Sequence, residues 1–438
     1  MDVLKRIFLT VVIGSVTLPC SVYAAANDAD LLHEIALLKN QLHELQMRVA
    51  SDEQSSALAD TDTSARTAVH HKKKFTKKSV SNDSSAKYKS LAITSPAVAT
   101  PISWHGPDID ALIVGSASAG FSKPSAQYGS FNLLDFNPIF LLGYKDSVFA
   151  RVALDFSLDD QGNTQTSLNY ANLNLFLNDY AVLGAGKFDS ALGYFGQNLS
   201  AAWINKLADT PVGFGGDQAA PQAEVGIRLS GGFPLYDDAK ANYAVFVSNG
   251  SQGLVDTTNS VIDHIDTDGF TNNYGNYTIG GRLGFLPIPN VEIGVSLSGG
   301  KLVLLDMADG TTVLQNGRHY NSLGADISYK KDNLDLRAEI TQQQVSYQTG
   351  SIVTQAERWK AWYLQAAYRI QSTNFEPVVR YGKFTSPISN QQQGQLALGL
   401  DYWFAPSIDV QVQYDINHGQ VGSGANANLF LMQLVFGF

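Results

Sequence analysis

The chain closes on LFLMQLVFGF, residues 429–438, where Phe430, Met432, Leu434, Phe436 and Phe438 alternate with positions that include Gln433 and Gly437. Successive side chains of a strand point to opposite faces, so this spacing lays an apolar stripe along one face. About ten residues of it fit a strand that crosses a bilayer, with lipid on one side and water on the other. A chain ending on such a strand, with phenylalanine as its last residue, predicts an all-β fold: a transmembrane antiparallel β-barrel.

The same alternation recurs upstream and predicts about sixteen strands, near 109–118, 136–145, 148–158, 166–177, 180–189, 222–232, 239–249 and 275–285, then 291–301, 320–329, 334–346, 359–370, 375–384, 395–404, 408–417 and 428–438. The count is even, as single-chain bacterial barrels require. Counted from a periplasmic N-terminus, the inner connections are brief. The long ones, 190–221, 251–273 and 302–318, all fall on the outer side, which is how such barrels sort their loops.

Composition agrees by exclusion. Hydrophobic residues make up 44% of the chain, yet beyond the first two dozen residues no apolar run approaches the ~20 residues of a spanning helix. The 38 Gly suit many turns, and 19 Tyr with 22 Phe suit aromatic girdles at the two membrane interfaces. A net charge of −10 makes the chain a poor nucleic-acid binder.

Ahead of the barrel, expected over 108–438, three segments are predicted. Lys5 and Arg6, the apolar run from Ile7 to Leu18 and the small residues before Ala25 mark residues 1–24 as a signal peptide. The single cysteine, Cys20, lies inside it, and Pro19 stands where a lipoprotein signal carries a small residue. Within 27–50, Leu31, Ile35, Leu38, Leu42, Leu45 and Val49 recur at steps of four and three, the seam of a short coiled-coil helix that would join copies of the chain into a homo-oligomer. One amphipathic helix lying on another surface is the alternative. Residues 51–107 are rich in Lys, Ser and Thr and read as a flexible periplasmic linker. Its run His70-His71-Lys72-Lys73-Lys74, followed by Lys77 and Lys78, reads either as a solvated charge run or as a contact to cell-wall or lipid phosphates.

The longest outer loop, 190–221, carries Leu192, Tyr194, Phe195, Leu199, Trp203, Ile204, Leu207 and Phe214, too many apolar residues for a loop in water. It is expected to fold inward and narrow the channel, with 197–208 as a short helix and Tyr194, Asn198, Trp203, Asn205 and Lys206 nearest a solute. Packing over the barrel mouth or on a neighbouring subunit is the alternative. Strand parity adds a lumen list, because a charge on the lipid face is expensive. Arg151, Asp155, Lys187, Glu224, Arg228, Arg282, Arg337 and Arg380 are expected to face inward, with Glu292, Asp326, Asp335, Glu339, Arg369, Glu376, Asp401, Asp409 and Asp415. The wall thus carries both signs, and many of these groups would pair across strands. No catalytic or metal-ligand spacing stands out, so no enzyme activity and no cofactor is expected.

The order of signal, coil, Lys-rich linker and barrel, together with FNLLDFNPIFLLGYKDSVFARVALDF (131–156) and LNLFLNDYAVLGAGKFDSALGYFGQNLSAAWINKLADTPVGFGG (173–216), resembles the siderophore porins of the legiobactin-receptor (LbtU-type) family. The resemblance covers nearly the whole mature chain. It implies a barrel in the outer membrane of a Gram-negative bacterium that passes ferric siderophore without a plug domain. About fifty linker residues and one short helix are indeed too little to build a plug. A general or phosphate-type porin is the alternative within the same class, and a structural or adhesive barrel the alternative outside it.

Cleavage after Ala24 should leave a mature protein free of cysteine. Intact-mass spectrometry of the membrane-extracted protein checks this, and a lipid-modified Cys20 would refute it.

Overall fold

The computed structural model describes residues 104–105 and 109–437, apart from 124–127, 146, 160, 203, 216–217, 237, 270–272, 372, 406 and 421–423. The expected signal, coil, all of the expected linker up to residue 103 and the terminal Phe438 lie outside the described residues, but Trp104 and His105, expected as linker, pair as a short strand with Ala111 and Asp110. Nineteen strands are present among these residues. They are β1 (Trp104–His105), β2 (Ile109–Ser122), β3 (Ser130–Tyr144), β4 (Val148–Leu158), β5 (Thr164–Asn178), β6 (Ala181–Asp189), β7 (Ala223–Tyr236), β8 (Ala239–Asn249), β9 (Gln252–Asp256) and β10 (Val261–Asp266). The remainder are β11 (Tyr277–Ile288), β12 (Val291–Asp306), β13 (Val313–Lys331), β14 (Leu334–Val345), β15 (Glu357–Tyr368), β16 (Phe375–Thr385), β17 (Gln393–Ala405), β18 (Ile408–Gly419) and β19 (Leu429–Gly437).

Sixteen of them, β2–β8 and β11–β19, pair antiparallel with both neighbours, and β19 closes on β2 from Leu429 opposite Ser122 to Gly437 opposite Val114. Closure matters because a bilayer offers the backbone no water, so any open sheet edge inside it would leave N–H and C=O groups unpaired. These sixteen are the segments that alternation marks out. Several run further outward than the alternation shows: β13 begins at Val313 and β12 ends at Asp306, forming a ribbon taller than the ~9–11 residues a crossing needs.

The two faces differ as parity demands. On β11, Ile279 and Leu283 are 64% and 60% exposed toward the outside, while Arg282 between them is 1% exposed toward the lumen. Tyr144, Tyr236, Tyr368, Phe375 and Phe404 are exposed beside the inner turns, where amphipathic rings suit the membrane interface. Outer turns close with short polar residues. Asp309 accepts the Thr312 hydroxyl at 2.5 Å and the N–H groups of Thr312 and Thr311 at 2.8 and 2.9 Å, which hold its carboxyl down at about 2.

The connection 251–273, expected as a plain outer loop, instead contains the hairpin β9–β10. β9 adds in parallel to the outer end of β12, Gln252 opposite Val303 through Val255 opposite Asp306. Ile262 donates its N–H to Glu357 at 3.0 Å, Gln391 donates to Asp263 at 2.8 Å, and Lys187 pairs with Asp268. The hairpin and its flank therefore reach from β6 to the β16–β17 connection, half of the way round the barrel. Strands of five and six residues without sustained alternation leave little trace in a sequence.

Leu297 sits near mid-strand on β12, outward and 52% exposed. Leu297→Arg should cost the barrel about 2–4 kcal/mol in lipid vesicles, whereas Leu297→Met should be near neutral. Urea titration of vesicle-inserted protein reads both, and equal stabilities would mean that this face does not meet lipid.

Candidate functional site

After Asp189 the chain leaves the wall and runs along the inner faces of strands on the far side. Its entry is fixed by neutral and acidic side chains that point into the lumen. Ser190 donates its hydroxyl to Glu224 at 3.3 Å, and the Gly193 N–H reaches Ser296 Oγ at 2.9 Å. The Tyr194 and Phe195 N–H groups then meet the two oxygens of Glu339 at 2.9 and 3.0 Å, supplying acceptors for the first turn of the short helix α1 (Phe195–Leu199). Gly193 has φ +83, and a Cβ there would stand 2.0 Å from Glu339 Oε1, so only glycine lets the chain approach this closely.

Beyond α1 the loop stays on the wall. The Asn205 carbonyl accepts from Gln411 at 2.9 Å, Lys206 pairs with Glu376, and the Asp209 N–H donates to Gln413 at 3.2 Å. Arg380 donates both terminal nitrogens to the carbonyls of Asp209 and Thr210, at 3.0 Å each. On the way out, Gln343 and Thr341 donate to the carbonyls of Gln218 and Ala219. Loop backbone is thus held by strands β12, β14, β16 and β18, which lie across the lumen from β6.

Apolar packing does the rest. Phe195, Phe214 and Tyr363 stack edge to face with centroids 5.1–6.3 Å apart. They belong to one core that also takes in Leu199 and Val212 from the loop, Val255, Ile262 and Ile265 from the β9–β10 hairpin, and Trp359 and Phe384 from the wall. Each such ring or aliphatic side chain contributes on the order of 1.5–3 kcal/mol by leaving water. The inner loop and the outer hairpin are therefore one packed unit inside the outer half of the barrel.

The inward charges form short closed networks. Arg282 meets Asp326 through Nη2 at 2.6 Å and Nε at 2.9 Å, Glu292 through Nη1 at 2.9 Å, and lies 4.8 Å from the centre of the Tyr194 ring. Arg151 pairs with Asp189 at 2.9 Å and covers the Tyr170 ring, and Arg337 pairs with Asp335 at 2.6 Å. Arg228 lies over Phe188, and Glu224 also accepts the Ser248 hydroxyl at 2.5 Å. Asp155 faces inward opposite Ser167. Among the described residues, no three His, Cys, Asp or Glu side chains are grouped so as to hold a metal ion.

Two expectations need correction. The helix occupies 195–199 rather than 197–208, because Glu339 satisfies N–H groups at Tyr194 and Phe195 and so starts the turn earlier. Lys187 lies opposite Ala171 and Val225, on the face it shares with Leu183 and Ala185, and its ammonium turns to Asp268 at the outer rim. Near a membrane interface a lysine can stretch to water, so its charge does not mark the lumen face there. Of the other loop residues, Asn198 lies in α1 with its N–H on the Tyr194 carbonyl at 3.0 Å, and Trp203 lies outside the described residues. The loop anchors Ser296, Thr341, Gln343, Gln411 and Gln413 were missed, since a parity scan for charges passes over neutral side chains on the same face.

No family model matches the chain, and no curated protein matches it either. Solved structures do match. The outer-membrane protein OmpF of Salmonella typhi, in a complex with daunomycin, is 11% identical with TM-score 0.50, covering 77% of this chain and 100% of that one. A loop-deletion variant of OmpT, an outer membrane protein of Vibrio cholerae, is 10% identical with TM-score 0.49, covering 76% and 100%. The outer membrane channel DcaP of Acinetobacter baumannii is 11% identical with TM-score 0.46, covering 76% and 99%. At 11% identity the likeness to OmpF shows the fold alone, that of a closed antiparallel barrel.

Glu339→Ala leaves two loop N–H groups without acceptors and should weaken the loop by about 1–3 kcal/mol. Trypsin should then cut after Lys206 faster than in the parent protein, and unchanged cleavage would show that the loop is held without Glu339.

Proposed function

We propose that the protein is an outer-membrane pore for small solutes, in which the described residues of the loop 190–221 form the constriction. One observation carries this reading: a loop from one side of the barrel is tied by Glu339, Gln411, Gln413 and Arg380 to the opposite inner wall. A segment fixed in that way reduces the cross-section while leaving the remaining lumen polar, the arrangement by which a pore sorts solutes by size and by contacts. Of the residues expected nearest a solute, Tyr194, Asn198, Asn205 and Lys206 are described, and association through the 27–50 seam is part of the same proposal.

The finer reading, ferric siderophore as cargo, rests on the sequence resemblance, with a general porin as its alternative. The inward cations do not favour a phosphate-type porin, because Arg151, Arg282 and Arg337 are each matched by a carboxylate.

Replacing residues 200–208 with a short Gly-Ser bridge should raise single-channel conductance in planar bilayers and leave the heat-shifted barrel band intact. A folded variant with parental conductance would remove the constriction from the proposal. For the cargo, a deletion strain should acquire ferric siderophore more slowly than its parent under iron starvation. Equal rates in a strain lacking other porins would leave the general-porin reading.

A further inference from the structure

One row of directly opposed inward side chains runs round half of the wall. Glu376 on β16 faces Asp401 on β17, which faces Gln411 on β18, then Gln433 on β19, Ser118 on β2 and Asp135 on β3. Two more steps carry it to Gln165 at the outer end of β5. Strands in a closed barrel are tilted, so a row perpendicular to them climbs. This one rises from beside the inner turn before β16 to beside the outer turn before β5. Glu376 at its foot is 3% exposed, and from Asp401 onward exposure grows: Asp401 1%, Gln411 3%, Gln433 5%, Ser118 7%, with Asp135 half-buried and Gln165 open to solvent.

The row contains no lysine or arginine. Lys206 of the inner loop meets Glu376 at its lowest step, and among the described residues neither Asp135 nor its neighbour Asp155 has an ion-pair partner. At the tight end, Asp401 Oδ1, Gln411 Oε1, Gln433 Oε1 and the adjacent Asp409 Oδ2 are buried with no donor. The amide oxygens are an observation separate from the carboxylates, and all four atoms ask for the same thing, a donor or a positive charge. Lys206, on Glu376, is also the cation that Asp401 and Asp409 feel, whereas Arg380 spends its terminal nitrogens on loop carbonyls and Arg282 on Asp326 and Glu292.

We propose that this row is the selectivity element of the passage and that it takes positively charged solutes. The shared chemistry is a cation, metal ion or ammonium group, that exchanges water for carboxylate and amide oxygens as it descends. The inference rests on the channel reading above and narrows it.

The test is the reversal potential of the full-length protein in planar bilayers under a KCl gradient. A cation-to-anion permeability ratio of about ten is expected. Asp135→Asn with Asp155→Asn should lower the ratio by about half or more, and Asp401→Asn with Asp409→Asn should do so as well, with the heat-shifted band unchanged in both. A ratio at or below one in the parent protein, or a ratio unmoved by either pair of substitutions, overturns the proposal. Ethylammonium chloride separates the sources: selective current with K+ alone assigns the row to inorganic ions, and with both salts to ammonium-bearing solutes too. Folded protein that carries no current sinks the channel reading together with this one, whereas current without cation preference sinks only the row.

Discussion

Everything in this structure follows from the need to pair every backbone group where no water reaches. Inside a bilayer an unpaired N–H or C=O costs several kcal/mol, so the sheet must close on itself. Closure is completed where β19 meets β2 through nine directly opposed pairs, Leu429 with Ser122 to Gly437 with Val114. Once closed, the period-two alternation of each strand becomes a division between two solvents. Leu431, Gln433 and Val435 turn inward at 5% exposure or less, while Phe430, Met432 and Leu434 meet the outside at 42–51%.

That division moves the electrostatic problem indoors. Charges barred from the lipid face accumulate on the lumen face, where covering them with a loop would strand them unless they are matched. The wall answers with compact networks such as Arg282 with Asp326, Glu292 and Asn242, in which one guanidinium satisfies several neighbours. Removing a member of such a network leaves a buried charge uncompensated, at about 3–5 kcal/mol. Where the inner loop covers the wall, its backbone uses the same side chains: Glu339 and Arg380 hold loop N–H and C=O groups rather than partner charges. The loop is bound by polar contacts that the lumen face already had to provide.

The strands were legible because their signal is local. On β19 the outward residues that alternation picks out, Phe430, Met432 and Leu434, are those that face away from the lumen. What was not legible depends on contacts between distant segments. Nothing in Gly193 announces that Glu339 will stand against it, and nothing in Val255, Ile262 and Ile265 announces that they will share a core with Phe195 and Phe214. Lys187 shows the limit of parity itself: its reach, rather than its face, decides where the charge lies. Glutamines and serines on the lumen face carry no charge to flag them, yet Gln411, Gln413 and Ser296 do as much as the charged residues to place the loop.

The common core of inner loop and outer hairpin fills part of the barrel with two of the barrel's own connections. Phe195 and Phe214 pack on Tyr363 from the loop side, and Ile262 and Val255 enter the same cluster from the hairpin side, each 3% exposed or less. Interiors packed at this density do not let one surface shift while the other stays. Ile262 is further tied to the wall through Glu357, and the hairpin to the rim through Asp263 and Asp268. Displacing the hairpin thus removes packing atoms from the loop that lies beneath it, and loosening the loop removes the floor of the hairpin. The outer hairpin and the inner loop behave as one element, packed against β12–β16 and reaching β18 through Gln411 and Gln413, so that it overlies the low end of the polar row, which continues beyond it on β19 and β2–β5.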